Sequence, residues 1–352
     1  MDRLSRKQIA SIIICTSLVG IALWLYKNII PAKPYSIGLV WIPSRAFQEQ
    51  LGTSFIDIIK TDKRFSLKDF AAPSAAELIS LNAVCETALN SDVDLILCIG
   101  FSCAKSLAQL SKKRRTHKPV VFNALTKEMA LEIVDSLDSP GGPVTGVYDA
   151  GIYAAAHPIE ILLTLKPQAK SILMPYAIVA HDNEPHVLEA QEIATLKNTQ
   201  VTPFPINPVE ETLARITSVI ESHDTIMYLE ADLLSPYGAG IGKLASQHNV
   251  TLFACSPDAK DTAAFTYYAE FNHIARAGFE LAQRILINKE NPATTHIVKL
   301  TNSRQVTINV ERCREQGMPD IDPLKIMHAI NSNPKLAALH NRITVNHNTE
   351  VS

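Results

Sequence analysis

Short apolar runs alternate with helical patterns along most of this chain. The clearest run is Val93–Ile99 (VDLILCI), and a helical pattern that reaches about Leu110 follows it. Nearly continuous apolar runs are typical of strands that are buried on both faces of a parallel sheet. Strands that alternate with helices of about ten to fifteen residues indicate βαβ units. The pattern therefore predicts an α/β fold built on parallel sheets.

The alternation of predicted strands and helices is interrupted at Ser139–Asp149 (SPGGPVTGVYD). Proline fixes φ and glycine permits positive φ, so such a stretch marks a change in the course of the chain. We predict two Rossmann-like lobes joined by a hinge here, with a ligand between them at the carboxyl ends of the strands. A turn inside one large domain is the alternative. The predicted divisions are residues 1–34 (anchor and linker), 35–145 (lobe 1), 146–270 (lobe 2), 271–322 (a crossover back and C-terminal elements that complete the lobes) and 323–352 (a C-terminal tail).

Several predicted elements can be compared directly with a structure. A capping-box spacing predicts a helix over Ala72–Asn90, and a helical pattern covers Lys127–Leu137. The apolar runs Ile297–Leu300 and Gln305–Ile308 predict a terminal hairpin. The polar stretch Asn331–Ser352 predicts a loosely attached tail.

The N-terminal residues Ile9–Tyr26 form 18 consecutive positions without a charge, preceded by Arg3, Arg6 and Lys7. This length is at the lower edge of a membrane span and exceeds the usual apolar core of a cleaved signal peptide. The basic flank points to the cytoplasmic side. We predict one uncleaved N-terminal transmembrane helix that anchors the protein in the inner membrane. The body would then lie in the periplasm or on the extracytoplasmic face. A cleaved signal peptide is the alternative.

Composition limits the possible functions. The 352-residue chain is 47% hydrophobic and 19% charged, which is ordinary for a folded protein. Its formal net charge of −2 argues against nucleic-acid binding. The basic run Lys112–Arg115 is an exception that fits a solvated connection better than a phosphate-binding patch. The six cysteines form no CxxC pair and no metal-ligand spacing. We therefore expect no metal and no cofactor, and buried free thiols, with one disulfide as the alternative.

Six stretches occur in an order that one protein family shows. They are Asp94–Leu107 (DLILCIGFSCAKSL), Pro119–Ala124, Pro140–Asp149 (PGGPVTGVYD), Thr225–Asp232 (TIMYLEAD), Gln283–Ile297 (QRILINKENPATTHI) and Ile308–Gly317. With these motifs the chain resembles the substrate-binding proteins of ABC transporters, of the tryptophan/tyrosine-binding type, from about Ser36 to Pro319. It departs from the family pattern at Pro143, where asparagine is usual, and at Phe101, where threonine is usual.

The resemblance implies a type I periplasmic-binding-protein-like fold of two lobes and a hinge. It also implies a binding protein rather than an enzyme. Such a protein holds a small ligand, an aromatic or other amino acid, and passes it to an ABC permease in the membrane. Two other functions stay open. One is a sensor or interaction module that has kept the fold. The other is a two-lobed transferase-type enzyme, which would need nucleotide or acid/base motifs that the sequence does not show.

Seven side chains near the ends of predicted strands are candidates for ligand contact. They are Ser44, Ser102, Thr126, Tyr148, Asp149, Asp232 and Tyr268. Ser102 and Thr126 open helices, where backbone N–H groups suit a ligand carboxylate, or they simply cap those helices. The two aspartates are suited to pair with a ligand ammonium, with capping or a solvated loop as the alternative. The two tyrosines are suited to stack on an aromatic ligand or to line the cleft.

Overall fold

The structure is a computed structural model. It describes residues 33–43, 46–72, 78–149, 156–177, 184–207, 209–229, 234–300, 303–333, 336, 339 and 342–346. The predicted N-terminal helix and the candidate site residues Ser44 and Asp232 lie outside these residues. Within them, no helix has both the length and the apolar character that crossing a membrane requires.

The described part of the chain alternates strands and helices, as the apolar pattern predicts. The strands are β1 (Tyr35–Trp41), β2 (Phe65–Ala71), β3 (Leu95–Ile99), β4 (Val120–Leu125), β5 (Val144–Asp149), β6 (Ser171–Ala177), β7 (Gln200–Ile206), β8 (Thr225–Tyr228), β9 (Thr251–Ala254), β10 (Phe265–Ala269), β11 (Val298–Leu300), β12 (Arg304–Asn309) and β13 (Ile343–Asn346). The helices are α1 (Ala46–Thr61), α2 (Leu78–Asn90), α3 (Phe101–Arg114), α4 (Lys127–Leu131), α5 (Ala156–Leu165), α6 (Glu184–Thr195), α7 (Thr212–Thr217), α8 (Gly238–His248), α9 (Phe271–Leu286), α10 (Val310–Glu315) and α11 (Pro323–Ser332).

The strands form two sheets, each the centre of one lobe. The first sheet has the order β11-β5-β4-β3-β1-β2, and its strands are parallel. The second has the order β13-β12-β10-β9-β8-β6-β7. It is parallel except for the antiparallel pair β10–β12. Parallel neighbours require crossover helices, which cover both faces of each sheet.

The packing of β3 shows why a continuous apolar run becomes a central strand. All five of its residues are buried. Leu95, Leu97 and Ile99 face the helices α1 and α9, while Ile96 and Cys98 pack on the other face against α2 and α3. Because side chains alternate between the two faces of a strand, only a strand covered on both faces buries every position.

The structure corrects the predicted terminal hairpin. β11 pairs in parallel with β5 at the edge of the first sheet, whereas β12 pairs antiparallel with β10 in the second sheet. The connection between β11 and β12 therefore crosses from one lobe to the other instead of turning back on itself. Two short apolar runs close together in sequence do not specify their partners, since each sheet edge offers its own unpaired backbone groups.

Other predictions of element length also need correction. The helix that opens at Lys127 ends at Leu131 rather than Leu137, because the backbone N–H of Asp135 turns to the carbonyl of Pro140. The helix predicted at residues 72–90 needs no such correction: it is present at Leu78–Asn90, and residues 73–77 lie outside the described part of the chain. The C-terminal stretch is not loosely attached where it is described: β13 extends the second sheet beside β12, and Leu336 and Leu339 are buried in its core.

Candidate functional site

A cavity of about 920 Å³ lies between the lobes, where strands of both sheets end. Its walls come from the N-terminal half of α1, the segments that follow β8 and β9, and the connection from β10 to α9. The lining residues are Glu49, Gln50, Thr53, Ser54, Pro236, Asp258, Tyr268, Ala269, Glu270, Phe271, Asn272 and Gln305. Open α/β sheets bind ligands at the carboxyl ends of their strands, so this cavity is the candidate site.

A hydrogen bond joins the lobes across this cavity. Gln50 of α1 donates from Nε2 to Oδ1 of Asp258, at 3.0 Å, although the two residues are 208 positions apart in the chain. Asp258 is held in place by a short 3₁₀ turn, Pro257–Ala259, in which its own backbone N–H donates to Ser256 Oγ at 3.3 Å. The lobes are therefore in polar contact at this wall of the cavity.

Aromatic side chains form another wall. Tyr268, which the sequence predicted as a site residue, lines the cavity from the end of β10. Its ring is half-buried, and its hydroxyl donates to Oε1 of Gln305 at 3.2 Å. Phe271, the first residue of α9, lies on the same wall. The two rings supply apolar surface and one hydroxyl group to the cavity lining, which suits an aromatic or aliphatic ligand group.

The charged residues among those described in the cavity lining are all acidic. Three carboxylates line it, from Glu49 on α1, Asp258 after β9 and Glu270 between β10 and α9. Glu270 forms an ion pair with Arg342. Sequence reasoning missed these residues because it considered the ends of strands one at a time. One sequence feature could have indicated Glu49 as a cavity residue: it lies in the first turn of the helix that follows the first strand.

The chain passes between the two sheets three times, after β5, between β10 and α9, and between β11 and β12. Ser303 links all three crossings. Its Oγ donates to Oδ2 of Asp149 at 2.5 Å, and its carbonyl accepts the backbone N–H of Glu270 at 2.7 Å. Arg304 adds an ion pair to Asp149, with 3.6 Å between Nη2 and Oδ2. These contacts form the hinge between the lobes.

The structure therefore places the predicted site residues in different surroundings. Asp149 is buried among hinge partners, and Tyr148 is buried in the first-lobe core. Thr126 caps α4 by accepting the backbone N–H of Met129 at 3.3 Å. Ser102 is exposed in the first turn of α3. Of the described candidates, Tyr268 is the one that lines the cavity.

The described cysteines are buried free thiols. Five are free and buried, which agrees with the first of the two alternatives drawn from the sequence. They are Cys85, Cys98, Cys103, Cys255 and Cys313. Desolvation raises the pKa of Cys85 to about 11 and that of Cys313 to about 12. Thiols in such surroundings are inert. Among the described residues, no group of His, Cys, Asp and Glu could hold a metal ion.

Comparisons with solved structures show the fold. The structure of an ABC domain in complex with L-Trp from Streptococcus pneumoniae is 18% identical, with a TM-score of 0.65 over 82% of this chain and 97% of that one. A ligand-free, open substrate-binding protein with adhesive properties from Clostridium difficile is 16% identical. Its TM-score is 0.63, and the match covers 89% of this chain and 99% of that one. A Bacillus halodurans solute-binding protein with bound myo-inositol is 12% identical. Its TM-score is 0.58, and the match covers 82% of this chain and 99% of that one. The fold is thus periplasmic-binding-protein-like, with two sheets.

Sequence comparisons identify the family. A curated relative, the "Tyrosine-binding protein" of Clostridioides difficile (strain R20291), is 23% identical over 206 residues. That match spans 57% of this chain and 58% of the relative. The profile of the ABC transporter substrate-binding protein family matches residues 49–326, which is most of the chain. These matches confirm the resemblance that the sequence motifs indicated, and the chain belongs to the family of ABC transporter substrate-binding proteins.

Proposed function

We propose that this protein holds a small amino-acid-like solute in the cavity between its lobes and delivers it to an ABC permease. The observation that carries the proposal is the cavity itself. It lies at the carboxyl ends of strands from both lobes, and the hydrogen bond from Gln50 to Asp258 spans it. Closure of two lobes around a ligand is a common way for such proteins to sequester a solute.

The chemistry of the walls suits a ligand with an ammonium group and an apolar part. Carboxylates of Glu49 and Asp258 are placed to accept charge-assisted hydrogen bonds from an ammonium group. Tyr268 and Phe271 supply the apolar surface. A relative is named for tyrosine and a structural neighbour holds L-Trp, which supports an amino acid as the ligand class. Binding by such groups needs no catalytic residue, so we place the protein among receptors rather than enzymes.

The remaining predicted contacts belong to the same proposal. Ser102 at the N-terminus of α3, with Gly100 preceding the helix, offers N–H groups for a ligand carboxylate. Ser44 and Asp232 follow strands whose carboxyl ends face the cleft in the predicted topology. We further propose that Ile9–Tyr26 anchors the protein in the membrane, with its body on the extracytoplasmic face. Fractionation of cells, with a protease that reaches only the extracytoplasmic side, tests this arrangement.

Ligand binding is tested by a thermal-shift screen of the purified protein against amino acids and myo-inositol. A ligand that binds only the folded state and is present at about 100 times its Kd adds about 2.7 kcal/mol to the free energy of unfolding. We expect at least one amino acid to raise the melting temperature by several degrees. If no solute changes the melting temperature, solute binding is refuted and the sensor alternative takes its place.

A further inference from the structure

The charges that line the interlobe cavity are unbalanced. Three carboxylates line it, and no Lys or Arg is present among its described lining residues. The carboxylates come from different parts of the fold: Glu49 from the first lobe, Asp258 from the second and Glu270 from the hinge. Closing the lobes thus brings like charges toward the same ligand from several sides.

Only one of the three has a cationic partner in the described part of the chain. Glu270 is paired with Arg342, which directly precedes β13 of the second lobe. Asp258 accepts a hydrogen bond from the neutral amide of Gln50, and no Lys or Arg among the described residues forms an ion pair with it. Glu49 is exposed on α1, and no ion pair to it is formed by the described residues. Among the described residues, nothing cationic is paired with Glu49 or Asp258, and we infer that both charges face a ligand.

We propose that the cavity selects a solute with more ammonium than carboxylate groups, such as a basic amino acid or a diamine. This inference rests on the proposed function and narrows its ligand class. Like charges facing one cleft repel each other, and low-dielectric walls strengthen that repulsion. A zwitterionic amino acid has no net charge with which to balance two carboxylates. An additional ammonium group balances them, and Tyr268 and Phe271 provide a surface for its methylene stem or for a cation–π contact.

A matched pair of ligands isolates this effect. L-lysine and L-norleucine share a backbone and a four-carbon side chain, and differ by the ε-ammonium group of lysine. Titration calorimetry of the full-length protein in a neutral detergent would compare them, with cadaverine, L-Trp and L-Tyr alongside. We expect lysine to bind about tenfold more tightly than norleucine, which is the ratio that one well-placed charge-assisted hydrogen bond supplies. The affinity for lysine and cadaverine should fall as salt rises from roughly 0.02 M to 0.5 M, because salt screens partly exposed charges.

Two glutamate variants test whether the preference for lysine comes from a charge in the cavity. Glu49→Gln removes one lining charge and should weaken lysine binding by roughly three- to tenfold. It should weaken norleucine binding less, so that the preference for lysine over norleucine shrinks. Glu280→Gln is the control, because it removes the same charge from an exposed position of α9 that does not line the cavity. We expect the control to bind lysine like the unmodified protein.

The outcomes separate this inference from the proposed function. Equal or tighter binding of norleucine, L-Trp or L-Tyr would overturn the preference for a cationic solute and leave the proposed function intact. Equal losses in the Glu49→Gln and Glu280→Gln proteins would overturn the role of the cavity charge. Failure of every amine and amino acid to bind would overturn both proposals.

Discussion

The hinge offers the most informative perturbation of stability. Asp149 ends a strand of the first lobe, and Arg304 begins a strand of the second. Their side chains are 5% and 6% exposed, and Ser303 donates a hydrogen bond to the same carboxylate. Arg304 also lies over the ring of Tyr267, 5.7 Å from its centroid. Asp149→Ala removes this carboxylate from the buried guanidinium of Arg304.

The expected magnitude follows from burial. Breaking a buried ion pair by removing one partner costs about 3–5 kcal/mol, since the remaining charge loses both water and its counterion. Ser303→Ala removes a hydrogen bond to the same carboxylate but no charge, and its expected cost is about 1.5–3 kcal/mol. The double change Asp149→Ala with Arg304→Met removes both charges, so it should recover much of the loss.

Urea unfolding followed by far-UV circular dichroism measures these differences. For the full-length protein in neutral detergent, the midpoint should fall most for Asp149→Ala, less for Ser303→Ala, and recover in the double variant. The reasoning is refuted if Asp149→Ala is no more destabilising than Ser303→Ala. It is also refuted if the double variant is less stable than Asp149→Ala alone, because then Arg304 is not the group that Asp149 stabilises.

Two further predictions concern buried groups. Burial raises the pKa of the thiols of Cys85 and Cys313 in the folded state. Their stabilising contribution is therefore complete below the unfolded value of about 8.5, and it is lost as pH rises through about 11 for Cys85 and about 12 for Cys313. In a Cys15→Ala protein, the five described cysteines should react with a thiol reagent at pH 8 only after urea is added; rapid reaction without urea would contradict this. Lys166 is buried, and its Nζ donates to the carbonyl of Asp224 at 2.6 Å and to Thr225 and Thr251. Lys166→Met should lower the free energy of unfolding by about 3 kcal/mol, the low end for breaking a buried pair because Asp224 keeps contact with water. A loss below about 1 kcal/mol in urea unfolding would show that the pair is dispensable.

The tertiary structure shows why a glycine is needed at position 146. Gly146 lies in the PGGPVTGVYD stretch, at the centre of β5. A Cβ at this position would lie 2.4 Å from both the backbone oxygen and the ring of Phe122 on β4. The close approach of two neighbouring strands therefore explains why a small residue stands there, whereas the sequence indicated only that this stretch punctuates the chain.

The apolar pattern of the sequence predicted the buried central strands correctly but missed an edge strand. The central strand β3 is a continuous apolar run, and β4 is apolar except at Asn123; burial on both faces favours that composition. The edge strand β2 escaped prediction because its burial is discontinuous: Phe65 and Phe70 are buried, while Ser66 and Lys68 are exposed. An edge strand packs fewer of its positions, so its sequence carries a weaker signal.

The sequence by itself determined the α/β class and the family, because these depend on periodicity and on motifs that are local in the chain. Only the tertiary structure decided which runs share a sheet, that Asp149 belongs to the hinge, and that Gln50 reaches Asp258 across the cavity. The physical reason is that sheet pairing, burial and charge balance depend on residues that are distant in sequence. The acidic cavity exists only after both lobes and the hinge have brought those residues together.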